Sequence, residues 1–238
     1  MIRLDNYLVE KSFTDSRNKA QNIIKNGLVS VNDSVVKKSS YKISVNDIVE
    51  VVEHKQFVSR SAHKLDEFLN ETDFSVEGML SLDIGSSTGG FTQVLLERGV
   101  EEVSAVDVGT AQLHSSLRDD SRVFSYESCD IRKFKSEKDF NLVVSDVSFI
   151  SLLNILDDVD RLASDKIILL FKPQFEVGRE ARRDKNGVVL DDKAIKRAML
   201  RFEDACSLKG WTLLNKSASK LTGKNGNLEY CYLFEKGL

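Results

Sequence analysis

Apolar positions along this chain follow two rhythms, and the points where one gives way to the other outline its elements. From residue 61 onward, short apolar runs of strand type alternate with stretches of helical spacing. Ser61–Leu69 places Ala62, Leu65, Phe68 and Leu69 on one inward helical stripe, with Lys64 off that stripe, facing a groove or, as periodicity alone favours, solvated, and His63 read as a surface or packing residue. Leu82-Asp83-Ile84 runs into Gly85-Ser86-Ser87-Thr88-Gly89-Gly90, and Phe91, Val94 and Leu95 resume a helical pattern at once. Val103–Gly109 reads as a second parallel strand, Ser128–Ile131 as the end of a third, Asn141–Phe149 as a fourth and Ile167–Phe171 as a fifth. A Gly/Asn turn at 223–227 enters a last strand with Glu229 at its mouth. This alternation predicts a doubly wound, Rossmann-like α/β sheet, whose ligands bind beyond the carboxyl ends of the strands.

The first fifty residues have another texture. Arg3–Leu8 and Ser16–Ile24 carry helical spacing, the second with Ala20, Ile23 and Ile24 inward and Asn26-Gly27 as its stop. Leu28–Asn32 and Ile48–Val51 read as strands, with turns at Asn32-Asp33 and Asn46-Asp47. The expected organisation is a small α+β domain over 1–53, a linker over 54–60 and the main domain over 61–238.

Composition narrows the class. The chain has 238 residues, 41% hydrophobic and 30% charged, as in soluble globular proteins. No apolar run approaches a membrane span, and Met1–Asp5 begins no signal segment. Cys129, Cys206 and Cys231 lack metal-like spacing, so reduced thiols in a cytoplasmic protein are expected, with no metal and no membrane. The net charge of −3 excludes a generally basic nucleic-acid coat. Residues 1–55 nevertheless hold nine Lys/Arg against seven Asp/Glu, so nucleic-acid binding would rest on local patches.

The Gly-rich run is the strongest chemical signal. A dinucleotide fingerprint has glycine at its middle position, where Ser87 stands here. Leu82-Asp83-Ile84-Gly85 instead resembles the first motif of S-adenosylmethionine-dependent methyltransferases. That resemblance implies that Asp83, Gly85, Ser86, Gly89, Gly90 and Phe91 face the amino-acid end of the cofactor. Asp107, with Val108 beside it, ends the second strand at the distance suited to an acid that accepts from ribose hydroxyls; a purely structural loop cap is the competing reading. Asp130 is placed against the adenine amino group with no more weight than a structural role. Asp146, ending the strand beside the first, should reach the reacting methyl.

The N-terminal pattern resembles the RNA-binding module named after ribosomal protein S-four. Arg3-Leu4-Asp5, Ser16-Arg17, Ala20, Ile24, Gly27, Val29, Val31-Asn32 and Asp47-Ile48-Val49 carry the match. It implies phosphate contacts from Arg3, Arg17, Lys19, Lys25, Lys37 and Lys38, against the plainer view of a solvated helix face.

Over residues 2–234 the chain is similar to the TlyA family, often labelled haemolysin, which joins such a module to an FtsJ-like ribosomal RNA 2′-O-methyltransferase domain. The similarity rests on Ser59–Leu65, Asp83–Phe91, Asp107-Val108-Gly109, Ser145–Ser151, Lys172–Glu176 and Gly226–Tyr230. It departs at Ser61, usually Gly, and at Leu221-Thr222, more often Ser-Pro. The Lys-Asp-Lys-Glu tetrad of FtsJ-like enzymes falls on Lys64, Asp146, Lys172 and Glu229. It implies S-adenosylmethionine as cofactor, ribosomal RNA or ribosomal subunits as partner, and a cytidine ribose in one or both subunits as target.

Chemistry supports the tetrad independently. A ribose hydroxyl is a weak acid, so attack on a sulfonium methyl needs a base. A free lysine, near pKa ~10.4, becomes a better one when burial and a neighbouring cation depress that value. The expectation is Lys172 as proton acceptor, Asp146 as its orienter, and Lys64 and Glu229 as positioning groups. The basic stretch with Arg179, Arg182 and Arg183 is an RNA-facing lid or a solvated loop. The competing functions are a membrane-lytic toxin, a non-catalytic RNA-binding protein and a nucleobase methyltransferase. The last lacks its Asn/Asp-Pro-Pro-Tyr/Phe signature at Ser145-Asp146-Val147-Ser148.

Overall fold

Small elements held by one apolar cluster make up the N-terminal region of the computed structural model, which describes residues 1–51 and 57–237. The chain divides into two units, 1–56 and 57–238. In the first, β1 (Ile2–Arg3), α1 (Leu4–Glu10), α2 (Arg17–Lys25), β2 (Val29–Val31), β3 (Ser34–Val35), β4 (Lys42–Ile43) and β5 (Val49–Val51) follow in order. Ser16 caps α2 through its side chain, which accepts from the Lys19 amide, and Gly27 at φ +77° lets the chain turn away. β3-β2-β5 form one antiparallel sheet and β1-β4 a second. Leu4, Leu8, Ala20, Ile24, Val29 and Ile43 fill the core between helices and strands. The first helix starts one residue later than its periodicity suggests, because Arg3 pairs with Lys42 as a strand. Residues 52–56 of the expected boundary and linker lie outside the described residues.

The second unit runs α3 (Ser61–Thr72), β6 (Leu80–Ile84), α4 (Gly90–Glu97), β7 (Glu102–Val106), α5 (Ser115–Arg118), β8 (Val123–Tyr126), β9 (Phe140–Ser145), a 3-10 turn (Leu152–Asn154), α6 (Leu156–Leu162), β10 (Ala163–Phe171), α7 (Pro173–Glu176), α8 (Asp192–Leu208), β11 (Trp211–Ala218) and β12 (Tyr230–Lys236). Its strands form one seven-stranded sheet in the order β11-β12-β10-β9-β6-β7-β8, with β12 antiparallel to both neighbours. The doubly wound α/β expectation therefore holds, and the strand order reverses between β6 and β9.

The central strands are buried on both faces, which is why they read as unbroken apolar runs, while the edge strands β8 and β11 are largely exposed. Ile167, Leu169 and Phe171 pack with Val159, Phe202 and Phe234 on one side. Ile168, Leu170, Val144 and Leu233 pack with Leu65, Phe68 and Val94 on the other. One strand end is corrected. The third strand stops at Tyr126, and Ser128–Ile131 is a loop. The Ser128 and Cys129 amides bond to the carbonyls of Gly109 and Asp107 in the loop after β7, and Ser128 turns to φ +52°.

Candidate active site

Alternation along the strands decides which side chains can meet. On β9, Leu142 and Val144 face α3 and α4, so Asp146 continues toward that face two residues on. On β10, Ile168 and Leu170 do the same and lead to Lys172; on β12, Leu233 and Cys231 lead back to Glu229. Phe171 pairs with Tyr230 in the ladder, which brings Lys172 and Glu229 to neighbouring strand ends. Asp83 lies between Leu82 and Ile84, which pack on the opposite face, and so turns toward α4.

Lys64 comes down from α3 to complete the set. Its Nζ lies 2.5 Å from Glu229 Oε2, with side chains 9% and 3% exposed. The sequence placed Lys64 off the buried stripe and favoured a solvated lysine; the structure corrects this. Lys64 stands four residues before Phe68, hence on the same helical face, and Glu229 supplies the charge that permits burial.

Lys172 forms the second pair, its Nζ 2.6 Å from Asp146 Oδ1. It also donates to Ser148 Oγ at 2.8 Å and to the Asp146 carbonyl at 3.3 Å. Lys172 precedes Pro173, the first residue of α7, whose fixed φ sets the turn there. Each lysine thus has a carboxylate of its own, where the sequence reading relied on two neighbouring cations. Burial pushes the Asp146 carboxyl above the ordinary carboxylate range, against the Lys172 ammonium, which pulls it down. Gln174 Nε2 donates to Glu229 Oε1 at 3.2 Å.

These groups border a hollow of about 920 Å³, next to a second of about 500 Å³. Gly85, Asp146, Ser148 and Phe149 line both. The smaller one also contains Asp107, Val108 and Asp130 in its wall. Asp107 accepts from the Ser87 amide at 2.8 Å and the Gly109 amide at 2.7 Å, so it performs the loop-capping role and keeps one lone pair on each oxygen. Asp130 is held by Arg132 in a two-point contact, which brings its carboxyl down to about 2.

Asp83 has no exposure. Its Oδ2 accepts from the Thr92 amide at 2.9 Å and the Thr92 hydroxyl at 2.6 Å, while Oδ1 has no hydrogen-bond partner among the described residues. Burial first, then the charges of Asp146 and Asp107, push its carboxyl up to about 7. A buried acid with an unsatisfied oxygen beside the larger hollow is where a ligand's cationic amino group fits. Gly85, at φ +80°, passes so close to Val147 that a Cβ would crowd its backbone. Ser86 and Phe91 also line the larger hollow, whereas Gly89 and Gly90 line neither and turn the chain into α4. The residues present fit S-adenosylmethionine on these grounds: an acid for its amino-acid end and acceptors for a ribose.

The sequence did not single out Ser148, Gln174 or Phe149. Phe149 is 93% exposed at φ +66°, with its ring 5.3 Å from Phe175. Such a backbone setting is strained for a bulky residue and marks the position.

The basic residues separate into groups. Arg3 and Arg17 bond to buried Asp5, and Lys19 pairs with Asp15 at 2.5 Å. Lys25, Lys37 and Lys38 are exposed. Arg183 donates to the carbonyls of Gly178, Arg179 and Ala181 and borders the larger hollow, while Arg179 and Arg182 are exposed.

Fold and site together define an enzyme of the methyltransferase class. The FtsJ-like methyltransferase profile matches residues 57–236 and the S4 domain profile residues 2–49. A 23S rRNA (cytidine-2′-O)-methyltransferase TlyA from Campylobacter jejuni is 44% identical over 99% of this chain and 100% of that protein. A 16S/23S rRNA (cytidine-2′-O)-methyltransferase TlyA from Mycobacterium tuberculosis is 39% identical over 96% of this chain and 87% of that one. A solved structure described as a haemolysin, from Streptococcus thermophilus, shares 34% identity and a TM-score of 0.73 over 99% of this chain and 88% of that one. The chain belongs to the TlyA family of FtsJ-like methyltransferases. Among the described residues no helix is long and apolar enough to cross a membrane.

Proposed function

We propose that the protein methylates the 2′-hydroxyl of a cytidine ribose in ribosomal RNA, with S-adenosylmethionine as donor. The observation that carries this reading is the pair of lysine–carboxylate contacts, Lys172–Asp146 and Lys64–Glu229, on the wall of the larger hollow, with Asp146 shared with the smaller one. The smaller hollow suits the donor's nucleoside, and the larger one its amino-acid end beside Asp83 together with a nucleotide of the substrate. The names of the TlyA relatives supply the base and the RNA.

The donor, when bound, presents a methyl group on a positively charged sulfur. Everything else is the work of side chains. Lys172 Nζ takes the hydroxyl proton, and Ser148 Oγ and the Asp146 carbonyl fix its direction. For that step Lys172 acts as the free amine, and Asp146, with Oδ1 2.6 Å from its Nζ, orients it. Lys64 and Glu229 neutralise one another and, with Gln174, hold the wall of the hollow in place. Alignment of the reacting atoms by this frame contributes more than the base itself. Phe149 presents an exposed ring against which an unstacked base can lie.

Residues 1–53 serve as the RNA-binding domain and 61–238 as the catalytic one, acting in the cytoplasm on ribosomal subunits. The decisive experiment incubates purified protein with labelled S-adenosylmethionine and each separated subunit, then maps the modified ribose. Label in one cytidine 2′-O position is expected; label in neither RNA overturns the reading. The haemolysin description of the Streptococcus structure is met by a lysis assay on the same preparation, with no lysis expected.

A further inference from the structure

Asp5 is fully buried, and five donors converge on its carboxylate. Oδ1 accepts from Arg3 Nε at 2.9 Å and from the Asn6 amide at 3.1 Å. Oδ2 accepts from Arg3 Nη2 at 2.8 Å, Gln21 Nε2 at 3.0 Å and Arg17 Nε at 3.1 Å. These contacts hold the Asp5 carboxyl well below the usual carboxylate range, so it stays ionised. Arg3 belongs to β1, Arg17 opens α2 and Gln21 lies one turn further on, so one carboxylate ties three segments together.

The geometry is one-sided. The acid is hidden, while the side chains of Arg3 and Arg17 are 33% and 54% exposed. Of the five N–H donors on a guanidinium, Arg3 uses two on Asp5 and Arg17 one. Two like charges that would otherwise separate are held side by side, each with donors remaining. Phosphodiesters are the ligand whose charge and paired non-bridging oxygens match two such planar guanidiniums.

We propose that Asp5 is a positioning residue for RNA, fixing Arg3 and Arg17 as a paired clamp on the phosphate backbone. The inference rests on the RNA-binding reading of the N-terminal unit. It differs in sign from simple charge counting. By charge alone, removing Asp5 makes the surface more positive and tightens RNA binding. With a clamp, removing it lets the arginines part and regain rotamer freedom, which RNA must then take away again.

The test measures binding of isolated 23S ribosomal RNA by the full-length protein. Asp5→Asn is expected to weaken binding about ten-fold with kcat at saturating RNA unchanged, both measured at a temperature where its melting profile shows the variant folded. Equal or tighter binding overturns the clamp. Arg3→Ala/Arg17→Ala tests the underlying reading separately. If the double variant binds RNA as the parent does, these arginines do not face RNA at all. If it binds weakly and Asp5→Asn does not, the arginines bind RNA without needing Asp5. Should Asp5→Asn fail to fold, Asp5→Glu keeps the charge and moves the carboxylate by one methylene. Weaker binding at unchanged kcat then supports the clamp, and unchanged binding overturns it.

Discussion

Around Asp5 the carboxylate is hidden and the guanidiniums reach the surface; around Asp146 and Glu229 the lysines are hidden together with their carboxylates. Both regions are built from cation–carboxylate contacts of 2.5–3.1 Å. The difference lies in which partner water can reach and in the kind of cation. Arginine cannot release its proton under ordinary conditions and offers donors in a fixed plane, which suits holding a phosphate. Lysine is a compact charge whose protonation responds to burial, which suits moving a proton. The first arrangement suits binding, and the second suits chemistry.

The comparison breaks most directly at Lys172. Lys172→Ala should lower the single-turnover rate of methyl transfer by roughly two to four orders of magnitude, while donor binding measured by equilibrium dialysis changes little. Arg3→Ala should leave that rate intact at saturating RNA. A parent-like rate in Lys172→Ala would remove the distinction between the two regions.

Stability gives the next largest contrast. Glu229→Gln leaves the Lys64 ammonium buried without its counter-charge, an effect of about 3–5 kcal/mol for pairs of this kind. Denaturant melts should show it. Lys64→Met/Glu229→Leu should recover most of the loss without restoring activity. The exposed Lys19–Asp15 pair provides the other pole: Lys19→Ala should leave the denaturant midpoint almost where it is.

The sheet was legible because its central strands are buried on both faces and carry unbroken apolar runs, as at Ile167–Phe171. Strand ends were legible where an acid, glycine or lysine follows such a run, hence Asp83, Asp107, Asp146 and Lys172. The third strand was misread because the Ser128 and Cys129 amides bond to the loop after β7, a tertiary choice that no local pattern announces. Lys64 was the instructive error. Its spacing to Phe68 already placed it on the buried face, but a lysine there is acceptable only with a partner 165 residues away in sequence. Strand parity through Leu233 and Cys231 to Glu229 would have supplied that partner. Ser148 and Gln174 acquire meaning only once Lys172 and Glu229 are in position.

Asp83 sharpens the comparison from a third side, as a buried carboxyl with no ion pair among the described residues. Its folded pKa of about 7 lies above the ordinary carboxylate value of about 3.8. Between those values the native state keeps a proton that the unfolded chain has lost. The stability tied to that proton is complete below about pH 4 and is lost as pH rises through about 7. Asp83→Asn keeps an acceptor for Thr92 and removes the titration. Without donor, the variant should therefore melt above the parent at pH 8, by an amount on the order of 1–3 kcal/mol, and match it near pH 4. Its affinity for S-adenosylmethionine should fall. An unchanged difference across the pH range would remove the assigned titration from Asp83.

The smallest effect separates two neighbouring arginines in the loop after α7. Arg183 donates to three carbonyls of its own loop, so its charge is already committed to holding that loop in shape. Arg182 is exposed and makes one long contact, 3.4 Å to the Leu190 carbonyl. If the loop meets RNA, Arg182→Ala removes one phosphate contact and lowers the slope of log affinity against log salt by about one, with stability unchanged. Arg183→Ala should instead loosen the loop, visible as faster amide exchange at Gly178–Ala181 and a higher KM for RNA. The two responses must differ in kind, since one residue resembles the exposed guanidiniums around Asp5 and the other is spent internally. Equal salt slopes in both variants and the parent would leave this loop solvated and away from the RNA.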